Sequence, residues 1–353
     1  MDEERTSASI DRAVSSAMNR IAGFVEPLAA PADELLAPLT RLSSRGKRLR
    51  AKLLLKGHEA AGGGRMDAAV RVAAALELFQ VAALVHDDVV DDSDTRRGLP
   101  STHRAIQDLH TSSNWRGDSA RFGTSSAILA GDLALMACMG ELVGALVGVD
   151  AEVATAVGDR FTSMATVCTA GQYLDLRLAA QPIELLAEER EAILAVMRAK
   201  TASYTTVGPL AMGAALAGCP PEQVDAWAAV GVPLGVAFQL RDDVLGVVGS
   251  EAETGKPAGD DLREGKRTLL LGHAFSVADA QDRERLVNAL DGDAESVAQA
   301  VDVMVRSGTI DAAEAEISRY ASEAKSNLEA ISMTSLHRQR LLAFFDATTV
   351  RVA

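Results

Sequence analysis

The sequence predicts an all-α fold, and three observations carry that expectation. Apolar residues recur at three- and four-residue spacing almost throughout the 353 residues, which is the period of a helix face. Alanine is abundant and aromatics make up only 4%. That composition favours helix, where alanine costs least, over sheet, which wants branched and aromatic side chains. The breaks between periodic stretches, such as AGGGRM, TSSNWRGDSARFG and AGCPPEQ, are short and rich in Gly, Ser or Pro, and none reads as a domain linker. Helices are expected near 8–35, 44–61, 67–93, 122–147, 150–180, 183–217, 221–248 and 268–278, with shorter ones to about 349. The reading is a single domain over 1–353, a bundle of long helices around a central pair.

Bulk chemistry narrows the function classes. Hydrophobic residues make up 48%, enough for a sizeable core, and the net charge is −14, which repels nucleic-acid phosphates. Cys138, Cys168 and Cys219 lie far apart with no CxxC, so they read as reduced thiols of a cytoplasmic protein. The N-terminus is acidic and shows no secretory h-region. The most apolar long stretch, AILAGDLALMACMGELVGALVGV, carries Asp132 and Glu141 and suits a core helix better than a membrane span.

The stretch HDDVVDDSDTRRG, from His86 to Gly98, holds five aspartates within eight residues and then two arginines. On a helix over 70–92, Asp87 and Asp91 share a face with Asp88 beside them, and steps of four back from Asp87 reach Ala83 and Phe79. Such a helix is apolar at one end and anionic at the other, like the wall of a pocket. Charge runs are usually solvated helix ends. Yet carboxylates at a helix C-terminus oppose the dipole, and hard oxygen donors without Cys or paired His suit magnesium. VPLGVAFQLRDDVLGVVG repeats the logic, with Asp242 and Asp243 closing an apolar run one turn after Phe238 and Gln239. Glycines at 231, 235 and 246 would let another helix or a ligand approach.

Basic residues supply the complement. RLSSRGKRLRAKLLLK, 41–56, has seven positive charges and no acid, with Lys47 and Arg50 on one helical face. Arg96, Arg97, Lys200, Lys256 and Lys266 are further candidates, the last two in a glycine-rich loop suited to close phosphate approach. The implied ligand is a pair of phosphate groups, one held by metal and one by Lys and Arg, above an apolar pocket: diphosphate esters of hydrocarbon chains.

With these residues in hand, the chain resembles the trans-isoprenyl diphosphate synthases, the polyprenyl synthetase family. GKRLR, HDDVVDDSDTRRG, GQYLDL, KTASYT, FQLRDD and GKPAGDDLREGKRTLL fall in the family's order over roughly 40–345. The span HRAIQDLHTSSNWRGDSARFGTSSAILAGDLAL is most similar to geranylgeranyl diphosphate synthases of actinobacterial type. The resemblance implies an isoprenoid synthase-type helical bundle around a deep cavity, paired as a homodimer. It implies Mg2+ on the allylic diphosphate through Asp87, Asp88 and Asp91, and a further Mg2+ on Asp242 with Asp243. Arg96, Lys200, Thr201, Gln239, Lys256 and Lys266 match positions that contact the allylic diphosphate. Gly46, Lys47, Arg50, Gln80 and Arg97 match the isopentenyl diphosphate site, where no metal is used. Asp87, Asp88, Asp91, Lys200 and Asp242 would carry the chemistry.

One departure stands out: Gly246 occupies the place where many relatives have the last aspartate of the second motif. His86 and His103 read as structural, since no side chain has to act as a strong base. Ala82 and Ala83 lie where bulky groups stop chain growth in this family, and Phe79 would form the floor, about 12 Å below Asp87 at 1.5 Å per residue. The expected product is geranylgeranyl diphosphate, C20. Farnesyl or longer (C25 or more) products stay open, as do a class I terpene cyclase, a head-to-head condensing enzyme and a non-catalytic regulatory subunit. Membrane contact is expected to be peripheral at most.

Overall fold

The computed structural model describes residues 3–28, 32–249, 259–263, 265–290 and 292–349. The all-α expectation holds: the β-structure among the described residues is one two-residue antiparallel pair. The chain packs as two compact units, Met1–Leu55 with Gly63–Ala154, and Lys56–Gly62 with Thr155–Ala353.

The first unit contains α1 (Glu3–Val25), α2 (Ala32–Ser43), the start of α3 (Leu49–Ala60), α4 (Met66–Val90), the strands β1 (Thr95–Arg96) and β2 (Leu99–Pro100), α5 (Thr102–Ser112) and α6 (Ser119–Leu146). Its core is α4 against α6. The α4 sequence is apolar on nearly every face and is buried from Val72 to Phe79 without interruption. Opposite it, α6 offers small residues, Ala127, Ala130, Ala134 and Ala137, which let the two backbones approach. A Cβ on Gly131 would fall 2.2 Å from His86 Nε2, so the His86 ring fills the space the glycine leaves. The same nitrogen lies 3.2 Å from the Ile128 carbonyl, in keeping with a structural role. At the far end of the pair Glu141 is buried and takes guanidinium groups from both Arg71 of α4 and Arg20 of α1. Such a buried carboxylate is tolerated only when paired. The start of α6 is capped by Asp118, whose carboxylate accepts from the Ala120 and Arg121 amides.

By length and composition alone α4 and α6 could each cross a membrane, but 67% of the apolar window of α4 is buried in the protein. For α6 the figure is 44%. Leu129, Met136 and Val143, spaced by seven, face outward on its other side.

The second unit contains α7 (Ala151–Ala179) from Thr155 onward, a 3-10 turn (Ile183–Glu188), α8 (Arg190–Val196), a π-helix (Met197–Val207), α9 (Gly208–Leu216) and α10 (Pro221–Val248). Short helices follow at Asp260–Arg263, Leu269–Val277, Ala280–Asn288 and Ala294–Arg306, then Thr309–Glu329 and Ser335–Thr349. Its core draws on α10, α8 and the later helices, with Val236, Leu240, Leu271, Val303 and Ile317 all buried.

Three expected helices differ in detail. The stretch 8–35 is two helices, broken after Val25 in a segment with prolines at 27 and 31. The stretch 44–61 starts only at Leu49, because Gly46 and Arg48 have φ of +130° and +56°, outside the helical region. Lys47 therefore sits in the loop before α3, and its shared helical face with Arg50 is not formed. The stretch 183–217 is broken four ways, with a π-helix at its centre whose end is marked by Gly208 N–H donating to Ser203 O, five residues back. Pro209 follows and cannot donate.

His58, in the Lys56–Gly62 segment, is fully buried, with Nδ1 3.1 Å from the Gly213 carbonyl and Nε2 left without a hydrogen-bond partner. Burial pushes this imidazole below its usual 6.5. The folded state thus binds the proton later than the unfolded state, so stability present above pH 6.5 is lost as pH falls. Thermal melts from pH 8 to pH 5 should show the wild-type protein losing more stability than His58→Gln, which keeps a donor for Gly213. Parallel curves would refute the role of His58.

Candidate active site

In the first unit the acidic end of α4 is answered by the segment that follows it. Arg97 and Gly98, with φ of +53° and +72°, form the two-residue turn of the β1–β2 hairpin. The turn brings Arg96 back onto α4, where its Nε and Nη2 lie 2.7 and 2.5 Å from Asp88 Oδ1 and Nη2 lies 3.8 Å from Asp87 Oδ2. Burial alone would lower the Arg96 guanidinium, but Asp88, with Asp87 and Asp91 behind it, raises it overall. Asp88 is buried, Asp87 is half-buried and Asp91 is exposed at the helix end.

Along α4 the partly exposed residues Gln80, Ala83, Leu84 and Asp87 make a single stripe, whereas Phe79 and Ala82 are buried, at 7% and 1% exposure. Ala83 is thus the small residue on the accessible line below Asp87. Burial pushes the Cys138 thiol up to about 12, with the Phe79 backbone opposing.

The basic loop before α3 divides its labour. Arg48 is buried and makes three anchors: Asp11 Oδ1 at 2.8 Å, Glu77 Oε2 at 3.3 Å and the Ser43 carbonyl at 2.6 Å. Glu77 also accepts from the Ala51 amide. These groups were not singled out in the sequence, although Glu77 is the one acid inside VRVAAALELF. With the loop so pinned, Lys47 is exposed and Arg50 is buried. Arg97 packs on Gly46, where a Cβ would meet its Nη1 and Nη2 at 3.2 Å, and donates to the Leu42 and Arg45 carbonyls at the end of α2. A crevice of about 20 Å³, room for one water, lies among Arg41, Arg45, Asp88, Arg96 and Arg97. His103 is buried in the first turn of α5, with Nδ1 3.1 Å from Ser101 Oγ.

The second unit holds the remaining candidates. Lys200 and Thr201 sit on the π-helix, the kind of local widening that proteins use to re-aim side chains. Its neighbours are glycines. A Cβ on Gly171 would be 2.3 Å from Lys200 N, on Gly231 2.6 Å from Val207 Cα, and on Gly235 2.4 Å from Ala202 Cβ. The close approach anticipated at 231 and 235 is therefore made by the π-helix. Lys200 Nζ lies 2.6 Å from Asp175 Oδ2, an acid within GQYLDL that was not picked out.

Thr201 Oγ1 donates to Gln239 Oε1 and Gln239 Nε2 donates to Asp243 Oδ1, both at 2.7 Å. Burial pushes the Asp243 carboxyl up to about 7, with Asp261 and Asp242 adding to it and Gln239 and Lys266 opposing. Asp242 is half-buried beside it. Arg241 grips Glu314 with both terminal nitrogens, at 2.5 and 2.6 Å, and donates through Nε to the Thr349 carbonyl. The C-terminal helices, in which the sequence shows no chemistry, thus hold the turn that carries the paired aspartates. Lys266 Nζ lies 2.6 Å from Asp261 Oδ1. Lys256 lies outside the described residues.

No three Asp, Glu, His or Cys side chains converge as a ready ligand cage among the described residues. The donor set still fits a hard divalent cation, because magnesium takes one or two carboxylates and completes its shell with water and substrate phosphate.

The polyprenyl synthetase family model matches residues 32–305, and the chain belongs to that family of helical prenyltransferases. Among its relatives, the short chain isoprenyl diphosphate synthase of Methanothermobacter thermautotrophicus is 34% identical over 82% of each chain. The geranylgeranyl diphosphate synthase of Sulfolobus acidocaldarius is 30% identical over 88% of each. Among solved structures, geranylgeranyl pyrophosphate synthase from Corynebacterium glutamicum, complexed with isoprenyl diphosphate and magnesium, superposes with a TM-score of 0.91 at 34% identity over all of both chains.

Gly235→Ala should cost about 1–3 kcal/mol, the usual penalty for overpacking a filled site. The midpoint of denaturant unfolding reads it. Gly158→Ala on α7, with nothing within 4 Å of its Cβ, should move the midpoint upward instead. Equal shifts would mean that α10 and the π-helix are not in tight register.

Proposed function

We propose that this chain is a magnesium-dependent trans-prenyltransferase that condenses isopentenyl diphosphate with an allylic diphosphate to give geranylgeranyl diphosphate, C20. The observation that carries the reading is the α4 stripe, which runs from Gln80 past the small Ala83 to Asp87 at a carboxylate-rich end. A hydrocarbon tail would lie along such a stripe while its diphosphate stays at the aspartates.

In this reading Asp87, Asp88 and Asp91 would hold magnesium on the allylic diphosphate, and Asp242 with Asp243 would hold a further magnesium. Bound there, the ion supplies charge neutralisation for a diphosphate leaving group. Arg96, Lys200 and Lys266 donate hydrogen bonds to its oxygens, and Thr201 and Gln239 orient the allylic end. Lys256 shares the Gly-rich stretch with Lys266 and joins this set. The allylic C1–O bond breaks, leaving an allylic cation and diphosphate. The isopentenyl double bond attacks the cation, and the proton lost in elimination passes to the departed diphosphate. Gly46, Lys47, Arg50, Gln80 and Arg97 hold the isopentenyl diphosphate by charge and hydrogen bonds alone. Buried apolar side chains exclude the water that would quench the cation.

The same reading places the enzyme in the cytoplasm, where its three free thiols stay reduced. The outward face of α6, where Leu129, Met136 and Val143 are 57%, 55% and 61% exposed, is assigned to a second copy of the chain.

Purified protein given isopentenyl diphosphate and dimethylallyl, geranyl or farnesyl diphosphate should form C20 product only when magnesium is present, sized by mass spectrometry. No condensation with any primer would sink the proposal. Ala83→Phe should shorten the product, and Phe79→Ala should lengthen it; unchanged products from both would remove α4 as the ruler. Met136→Glu with Val143→Glu should convert a dimer to a monomer in light scattering, and a wild-type monomer would refute the pairing.

A further inference from the structure

The acidic run after His86 holds two aspartates, Asp92 and Asp94, that the magnesium reading leaves without a task. Asp92 has φ of +51°. It follows the last turn of α4, where Ser93 N–H donates to the Asp88 carbonyl at 3.0 Å, the hydrogen bond that closes a left-handed helix end. Glycine suits that position best, and an aspartate sits there against its backbone preference. The side chain supplies the reason. Arg104, in the first turn of α5, brings Nη2 to 3.0 Å from Asp92 Oδ1 and Nε to 2.8 Å from Asp94 Oδ1. Its remaining nitrogen, Nη1, donates to Gln107 Oε1 at 3.2 Å. Both carboxylates are exposed, so these ion pairs serve geometry more than stability.

The clamp crosses the base of the β1–β2 hairpin. Asp92 and Asp94 precede the hairpin and Arg104 follows it. Ser101 N–H donates to the Asp94 carbonyl at 2.9 Å, next to the Thr95–Pro100 pair. With strands of two residues each, the hairpin has few hydrogen bonds of its own to fix its direction. It carries Arg96 onto Asp88 and Arg97 onto the Leu42 and Arg45 carbonyls. One arginine meets α4 and the other meets the end of α2, so a tilt of the hairpin moves both.

We infer that Arg104, gripped by Asp92 and Asp94, is the positioning residue that sets the hairpin and, through it, both Arg96 and Arg97. Asp92 and Asp94 are the anchors of this clamp and not metal ligands. A glycine at 92 would relax the backbone and release one side of Arg104, so local comfort and position conflict there. The inference rests on the prenyl-transfer reading above, which gives Arg96 to the allylic diphosphate and Arg97 to isopentenyl diphosphate. It goes beyond that reading by coupling the two substrates through one arginine that belongs to neither site.

The test uses Arg104→Gln, Arg104→Lys, Asp92→Gly, and Asp92→Gly combined with Asp94→Asn. Two calorimetric titrations avoid turnover: isopentenyl diphosphate without metal, and inorganic diphosphate in magnesium buffer. Arg104→Gln and the combined variant should each weaken both ligands about three- to tenfold, the loss of part of one charge-assisted hydrogen bond. KM for both substrates should rise in step while kcat stays near wild type. Arg104→Lys, which still reaches one carboxylate, should recover part of the loss. Adding Arg104→Gln to the combined variant should weaken binding no further, because the three side chains form one clamp. Asp92→Gly alone should melt no lower than wild type, since glycine is at ease at φ of +51°, and should still bind both ligands more weakly. A merely structural role predicts the reverse, a lower melt with unchanged affinities. Wild-type affinity for both ligands in Arg104→Gln would overturn the inference. So would weakened magnesium-dependent binding in Asp92→Gly beside unchanged binding in Arg104→Gln, which would make Asp92 a metal ligand. A wild-type protein that binds both diphosphates and condenses nothing would overturn the prenyl-transfer reading alone, because the two titrations still decide the role of Arg104.

Discussion

Carboxylates gathered at the C-terminal ends of helices are the constraint on which the rest of the structure depends. Each such end already carries partial negative charge from its unpaired carbonyls. Asp87, Asp88 and Asp91 at the end of α4, and Asp242 and Asp243 toward the end of α10, add to it. Both helices meet a cation from the chain that follows. After α4 a hairpin returns Arg96 to Asp88; after α10 a glycine turn returns Lys266, and with it Asp261, whose charge adds to the push on Asp243. A positive-φ residue makes each return possible, Arg97 with Gly98 in one case and Gly259 in the other. Each end thus carries carboxylates and returning hydrogen-bond donors side by side.

Close backbone approach is the second theme, and it serves position more than stability. Gly171, Gly231 and Gly235 let α7 and α10 come within Cβ distance of the π-helix. Lys200 and Thr201 are carried on that π-helix, so the glycines set where an ammonium and a hydroxyl stand. The Thr201, Gln239 and Asp243 chain then spans from the π-helix to α10 by two hydrogen bonds. Side chains tied at both ends lose little further freedom when a ligand arrives, so such a site can bind without large reorganisation. Arg241, clamped by Glu314 and Thr349, extends the same rigidity to the C-terminal helices.

In a protein of net charge −14, positive groups matter most where they are not cancelled. Arg48 is spent on Asp11, Glu77 and Ser43, which holds the loop while Lys47 stays at the surface. One basic run thus contains a buried anchor, Arg48, and an exposed lysine beside it, set apart by the backbone of the loop.

Helix content, the apolar-to-acidic course of α4 and the identity of both aspartate clusters were legible in the sequence, because helical periodicity and charge are local properties that neighbours in the chain display. Ala83 could be placed on the line of Asp87 for the same reason, since four residues make one turn. Phe79 could not: whether a residue two turns away faces the open stripe or the α6 side depends on what packs there, and it is buried. The loop position of Lys47 was hidden too, since it follows from left-handed backbone at Gly46 and Arg48. The partners of the site lysines, Asp175 and Asp261, lie inside motifs already recognised, yet each is assigned by distance alone. Gly246 is the sharpest case. By itself the sequence determined that a carboxylate is absent there; only the tertiary structure decided that another, fifteen residues later, stands in the same space.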